Sequence, residues 1–141
     1  MCNLFVLAFL YKGDDVLLVR RRNQEFGSGL YSLIGGKVEL SETALHAIER
    51  EVQEETGIAI SQSSFSLVHA LHRKGTETEF IALCFKADVT NLPDPVNNEP
   101  EKHDDMRFFN VQRLPENILP AHKQIIECIH KNVIYSEHGW F

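Results

Sequence analysis

Between Glu39 and Glu55 the chain carries six acids and one Lys or Arg, Arg50, and three of those acids, Glu51, Glu54 and Glu55, stand at i, i+3 and i+4. The segment from Thr43 to Thr56 has helical periodicity, and Gly57 follows it as a C′ residue that ends the helix. At about 100° per residue the three carboxylates fall in a sector of roughly 100° on one helix face. Leu45, Ile48 and Val52 form a neighbouring face, the predicted core side. Ala44 and Ala47 lie one to two turns before the carboxylates, where small side chains leave room for a ligand. Like charges spaced this way repel by about 1 to 3 kcal/mol per pair at roughly 6 Å. A solvated acidic face usually interleaves Lys with Glu, and this one does not, so a cation is the natural partner. Donors that are all oxygen point to a hard divalent ion, Mg²⁺ or Mn²⁺, which typically bridges carboxylates to substrate phosphates.

The rest of the chain supplies a frame for that helix. Leu4 to Tyr11 and Val16 to Arg22 are apolar, β-favouring runs around Lys12-Gly13-Asp14-Asp15, which predicts a hairpin. A Gly-rich stretch, Phe26 to Gly36, precedes the acidic helix. Two strands follow, Ser66 to His72 and Phe80 to Asp88, with Lys74-Gly75 between them. Asn91 to Asp105 reads as a long loop of the kind that is functional or mobile. Arg107 to Val111 reads as a short strand. Ile125, Ile126, Ile129 and Val133 recur at helical spacing after Pro120, which predicts a closing amphipathic helix. Interleaved strands and helices, without repeats, predict an α/β fold with helices against a mixed sheet, organised as a single domain over residues 1–141.

Composition removes several classes. With 43% hydrophobic and 24% charged residues the chain resembles neither a disordered nor a disulfide-stapled protein. Its longest apolar run, Leu4 to Leu10, is far short of the roughly 18 residues of a membrane span, and the expected location is cytoplasmic. Fourteen Lys and Arg against twenty Asp and Glu give a net charge of −6, which disfavours a nucleic-acid scaffold as partner. Cys2, Cys84 and Cys128 contain no C-x-x-C pair and read as reduced, buried thiols. His69 and His72, three apart in a strand, point to opposite faces and make a poor zinc pair.

Written as Gly, five residues, Glu, seven residues, then Arg-Glu-aliphatic-x-Glu-Glu-x-Gly-aliphatic, the stretch from Gly36 to Ile58 resembles the Nudix box of the Nudix hydrolase family at every defined position. By average residue usage such a match arises by chance about once in 10⁸ starting points or fewer. The resemblance implies an α/β/α sandwich and metal-assisted hydrolysis of a nucleoside diphosphate linked to another group. It implies that Glu51, Glu54 and Glu55 hold metal, Mg²⁺ or Mn²⁺, together with the backbone carbonyl of Gly35. It makes Glu51 the candidate to orient or deprotonate the attacking water. Arg50 is implied to brace the box by ion pairing, and Glu42 to hold its loop against the helix, with Gly36 and Gly57 as structural positions. Asp105 stands where related enzymes often place a further acidic ligand or base; the alternative is an exposed loop carboxylate. Arg20, Arg21 and Lys37 are candidate phosphate contacts, and strand alternation allows either Arg21, or Arg20 with Arg22, to face inward.

Two departures from the family pattern, Ile34 for Pro and Ser41 for Gly, touch no ligand position. Neither Pro nor Tyr occurs in His72 to Thr76, where the family's markers for ADP-ribose and dinucleoside polyphosphates would stand. By elimination the sequence resembles the MutT-type enzymes that split nucleoside triphosphates into monophosphate and pyrophosphate. His122, at the start of the last helix, occupies the place of a guanine-reading Asn. An ADP-ribose or nucleotide-sugar pyrophosphatase is the alternative, as is a nucleotide-binding module without turnover, although such modules commonly lose box acids. A plain docking domain would not need Gly36, Arg50 and Gly57 at these offsets. The implied partner is a small-molecule nucleotide, and a homodimer is left open. Tyr31, Phe26 and Trp140 are aromatic groups able to stack on a base or to fill the core.

Overall fold

A computed structural model describes residues 2–24 and 26–140. The side chain of Cys2 lies outside the described residues. The order of elements is β1 (Cys2–Lys12), β2 (Asp15–Arg21), β3 (Tyr31–Ser32), β4 (Ile34–Lys37), α1 (Ala44–Thr56), a 3-10 turn (Gln62–Ser64), β5 (Ser66–Lys74), β6 (Glu79–Asp88), β7 (His103–Asn110), α2 (Pro120–His130) and β8 (Tyr135–His138). The strands form one mixed sheet with the path β3-β2-β1-β6-β5-β8, while β4 pairs β1 and β7 pairs β2.

The middle of the sheet is β1. It runs parallel to β6 from Cys2↔Glu79 to Tyr11↔Asp88. Along its other edge it pairs antiparallel first with β4, from Phe5↔Lys37 to Ala8↔Ile34, and then with β2. A strand covered on both faces reads as a continuous apolar run, and Val6 to Leu10 are all buried. Alternation sends Val6, Ala8 and Leu10 toward Ala47, Ile48 and Val52 of α1. It sends Leu7 and Phe9 toward Ala121, Ile125 and Ile126 of α2. The helices therefore cover opposite faces, giving the α/β/α sandwich. The hairpin turn closes at Lys12↔Asp15, with Gly13 at φ 54.

Several expectations are corrected. The inward face of α1 contains Ala47, Ile48, Val52 and also Glu55, whereas Leu45 is exposed. The small side chains of Ala44 and Ala47 pack against the core and do not open a ligand space. Helix α2 ends at His130, and Val133 lies beyond it. The Asn132 N–H donates to the Ile129 carbonyl and the Val133 N–H to the Cys128 carbonyl, with Asn132 at φ 58. That is a Schellman ending with Asn in the left-handed position usually taken by Gly. Strands β3 and β4 lie within the Gly-rich segment, β8 follows the closing helix, and β7 starts at His103, inside the expected loop. Cys84 is buried and Cys128 half-buried, both free, and burial pushes the Cys84 thiol up to about 12.

Candidate active site

Helix α1 is fixed at both ends by its own sequence. The Thr43 hydroxyl accepts from the His46 N–H at its start, and Gly57, at φ 75, donates to the Gln53 carbonyl at its end. The loop before it is tied down by Arg50. The guanidinium holds Glu42 with two hydrogen bonds, Nε to Oε2 at 2.7 Å and Nη2 to Oε1 at 2.9 Å, and reaches Glu51 at 2.8 Å and Glu54 at 3.3 Å. Its Nη2 also donates to the Lys37 carbonyl at 3.3 Å. Glu42 accepts in addition from the Glu39 N–H. Arg50 first, and then that amide, pull the Glu42 carboxyl down to about 2, as expected where charge-assisted bonds favour the ionised form. Here loop, strand β4 and helix are joined by one side chain.

Two glycines let β4 approach its neighbours closely, Gly36 the helix and Gly35 strand β1. A Cβ on Gly36 would lie 2.4 Å from Glu51 Oε1, and one on Gly35 would lie 2.1 Å from the Val6 carbonyl oxygen. At Gly35 the obstacle is backbone; at Gly36 a side chain would push the Glu51 carboxylate out of its place. The Gly35 N–H donates to Glu55.

Glu55 is the buried acid of the set, 4% exposed. The loop after β6 is pinned to the end of α1, with the Val96 N–H on the Thr56 carbonyl and the Asn98 N–H on the Glu55 carbonyl. Asn97 Nδ2 bonds the His103 carbonyl. That anchoring delivers Glu99 and His103 to Glu55, and one ligand atom from each of the three lies within 4.8 Å of the others. The His103 Nε2 is 3.5 Å from Glu55 Oε1. Glu55 Oε2 and His103 Nδ1 are buried and have no hydrogen-bond partner. Burial, then the charges of Glu51 and Glu99, hold the Glu55 carboxyl well above its ordinary range. Burial also raises Glu51, against the pull of Arg50. Burial, followed by the charges of Arg21 and Lys102, pushes His103 down to about 4, so its ring is neutral near pH 7 and able to ligate. Orphaned buried acceptors, crowded acids and a neutral imidazole all fit a divalent cation.

The sequence candidates are distributed unevenly about that point. Glu51 and Glu55 face it, while Glu54 is exposed and touches Arg50. Asp105 is elsewhere. A bulge places Arg20↔Asp105 and Arg21↔His103 as successive pairs of β2 and β7, so the two pairs look to opposite faces. Asp105 accepts from the Tyr31 hydroxyl and from Arg107 Nε. Burial opposes its ionisation, but those two bonds outweigh it and its pKa falls. Glu99 and His103, and not Asp105, lie beside Glu55, so the donors gathered there include a nitrogen as well as oxygens. The same alternation resolves the arginines. Arg21 lies on the acid side and feels the charge of Glu55, whereas Arg20 pairs with Asp104 at 2.6 Å. Lys37 pairs with Phe5 in register and shares that residue's face of the sheet, away from α1.

Other candidates have structural roles. His69 uses both ring nitrogens, on the Val133 carbonyl and the Ser136 hydroxyl, each at 2.8 Å. Tyr31 is core and meets Phe109 edge-on at 4.9 Å. Trp140 donates to the His72 carbonyl. Phe26 is exposed, with the Arg73 guanidinium 4.8 Å from its ring centre.

Comparison with known proteins agrees with this geometry. The NUDIX domain profile matches residues 3–129. An ADP-ribose pyrophosphatase of Methanocaldococcus jannaschii is 31% identical over 119 residues, covering 82% of this chain and 66% of that one. The chain thus spans slightly less than two thirds of that relative. An oxidized purine nucleoside triphosphate hydrolase of Danio rerio is 31% identical over 79% of this chain and 69% of its own. Among solved structures, a MutT NUDIX hydrolase from Burkholderia pseudomallei superposes with a TM-score of 0.80 at 25% identity, covering 90% of this chain and 97% of that one. With the box, the sandwich and the acid-lined end of α1 in place, the chain belongs to the NUDIX domain family.

Proposed function

We propose that this chain is a divalent-metal-dependent pyrophosphohydrolase, and that its substrate is a nucleoside triphosphate split into monophosphate and pyrophosphate. The observation that carries the reading is Glu55, a buried acid with one oxygen unpartnered, facing Glu99 and a neutral His103. Glu51, Glu55, Glu99 and His103 would hold the ion, with Glu54 and the Gly35 carbonyl as the further ligands that the box implies. A divalent cation supplies positive charge against the phosphate oxygens and lowers the pKa of nearby water. Glu51, largely desolvated and steadied by Arg50, is placed to orient the water and accept its proton. Arg21, on the same side as Glu55, contacts the phosphates, and Arg50 with Glu42 keeps the loop and helix in register. A nitrogen among the donors favours Mn²⁺ over Mg²⁺. The nucleotide partner is a free small molecule, in a cytoplasmic setting.

The second reading, ADP-ribose hydrolysis, is favoured by the archaeal relative; the absence of Pro and Tyr from His72 to Thr76 weighs against it. A screen of nucleoside triphosphates, ADP-ribose, nucleotide sugars and dinucleoside polyphosphates with Mg²⁺ or Mn²⁺ separates them. Monophosphate plus pyrophosphate from a triphosphate is the expected result. Turnover confined to ADP-ribose would establish the second reading, and no turnover of any substrate would leave a nucleotide-binding module.

A further inference from the structure

One ammonium stands among the acids at the end of α1. Lys102 Nζ lies 3.4 Å from Glu99 Oε2, and the charges of Glu99, Glu51 and Glu55 all act on it. Its backbone is fixed on both sides. The Lys102 N–H donates to the Glu99 carbonyl at 2.9 Å, which folds the turn that carries both side chains. The Lys102 carbonyl accepts from the Arg22 N–H at 2.9 Å and from Gln24 Nε2 at 3.0 Å. Gln24 Oε1 in turn accepts from Arg21 Nη2 at 2.7 Å, so one side chain joins the segments that carry the two cations. Their heads are held differently. The Arg21 guanidinium is tied to Gln24 and to the Phe26 carbonyl. The Lys102 ammonium is more than half exposed, with Glu99 as its ion-pair partner. A compact charge on a flexible four-carbon stem can turn away from Glu99 without disturbing the backbone beneath it.

We propose that Lys102 is the resident counter-cation of this cluster, a residue that yields Glu99 to a divalent ion and turns its freed ammonium to the phosphate chain of the substrate. This rests on the reading of Glu55, Glu99 and His103 as a cation site and of the substrate as a nucleotide. In the ion-free chain Lys102 offsets part of the repulsion among Glu51, Glu55 and Glu99 and keeps Glu99 near the other two ligands. With an ion on Glu99 the carboxylate's charge is already met and the ammonium is repelled, so each cation weakens the hold of the other. A phosphate chain brings negative charge back to the same place, and an ammonium binds phosphate as a point charge. Lys102 thus acts on ion and substrate with opposite sign, opposing the first and favouring the second. A residue that merely supported the turn would affect both in the same sense.

Calorimetric titration of Mn²⁺ into the chelator-stripped full chain, and of inorganic tripolyphosphate into the Mn²⁺-saturated chain, reads the two signs without turnover. Lys102→Met is expected to bind Mn²⁺ about 3-fold tighter or more and tripolyphosphate at least about 5-fold more weakly. Lys102→Arg, which keeps the charge, should stay within about 3-fold of wild type in both titrations. Unchanged or weaker Mn²⁺ binding in Lys102→Met, or tripolyphosphate bound as tightly as by wild type, would overturn the inference. So would a failure of Lys102→Arg to restore the two affinities. Opposite shifts in Lys102→Met without turnover of any nucleotide by wild type would defeat the hydrolytic reading alone. Turnover by wild type with no shift of Mn²⁺ affinity in Lys102→Met would defeat this inference alone.

Discussion

Two groups of acids meet at helix α1, and they differ in how their charge is met. Glu42, Glu51 and Glu54 converge on Arg50, which answers each of them within 3.3 Å. One turn further on, Glu55 is more deeply buried; it accepts from the Gly35 amide and feels the charges of Lys102 and Arg21 only at a distance, with Glu99 and His103 beside it and one oxygen unpaired. A buried polar atom without a partner is costly, and burying an unmatched acid is costlier still. Arg50 offsets the charge of the first group, although Glu51 stays raised by burial and feels Glu99 as well; the second becomes complete only when something positive arrives. That difference marks Arg50 and Glu42 as braces and Glu55 as the acid still in need of a partner, which a count of acids in the sequence does not do.

The largest expected effect tests the incomplete group. Glu55→Gln should lower kcat/KM by at least about 10³, while the metal-free protein melts no lower than wild type, since a desolvated acid has been removed. A variant with wild-type turnover would place the site elsewhere. Next, Glu54→Gln should lower turnover by about 10² with the fold intact; Glu54 is exposed and its bond to Arg50 is the longest of the set. Steady-state rates together with thermal melts decide both. Arginine alternation gives a smaller, sharper contrast. Arg21→Met should raise KM by about 10-fold or more, and Arg20→Met, which breaks a surface pair with Asp104, should change kcat/KM by less than about 3-fold. Equal losses would return both arginines to the phosphate site.

The smallest effect is in pH dependence. His122 is held at about 3 in the folded chain by burial and by the charges of Arg73, Arg21 and His138, against about 6.5 when unfolded. Its folded pKa is depressed, so the unfolded chain takes up the proton first as pH falls. Its stabilising contribution is whole above about pH 6.5 and is lost progressively toward pH 3, by about 1.4 kcal/mol per pH unit. Glu51 and Glu55, with raised pKa values, act in the opposite sense in metal-free protein. Urea titrations in chelator at pH 7 and 5.5 should show a shallower slope for His122→Gln, whose amide oxygen can still accept the Leu33 N–H. An unchanged slope would remove His122 from this account.

The local signals that were legible in the sequence are those set by side-chain chemistry over short distances. Thr43, Gly57 and the acids fix α1 within its own residues, and Gly36 shows its purpose once Glu51 lies against it. What stayed hidden depends on long-range pairing. Strands β3 and β4 are too short and too rich in Gly to show period-2 alternation. Helix α2 stops at an Asn in place of a Gly. Glu99 and His103 reach Glu55 only because Val96 and Asn98 bond the end of α1 across a loop, and no spacing rule connects residue 55 to residue 99. A His among several acids near a strand start was the one available hint. Asp105 was the more visible acid, yet a single bulge at Arg20/Arg21 turns it to the other face.

The most direct test of the account is the thermal shift produced by Mn²⁺, measured on wild type and Glu55→Gln at the same ion concentration. An ion present at about 100 times its dissociation constant adds about 2.7 kcal/mol to the native state, so wild type should gain several degrees and the variant little or none. An equal shift in both proteins, or none in wild type at millimolar Mn²⁺, would contradict the claim that Glu55 is the core of a cation site.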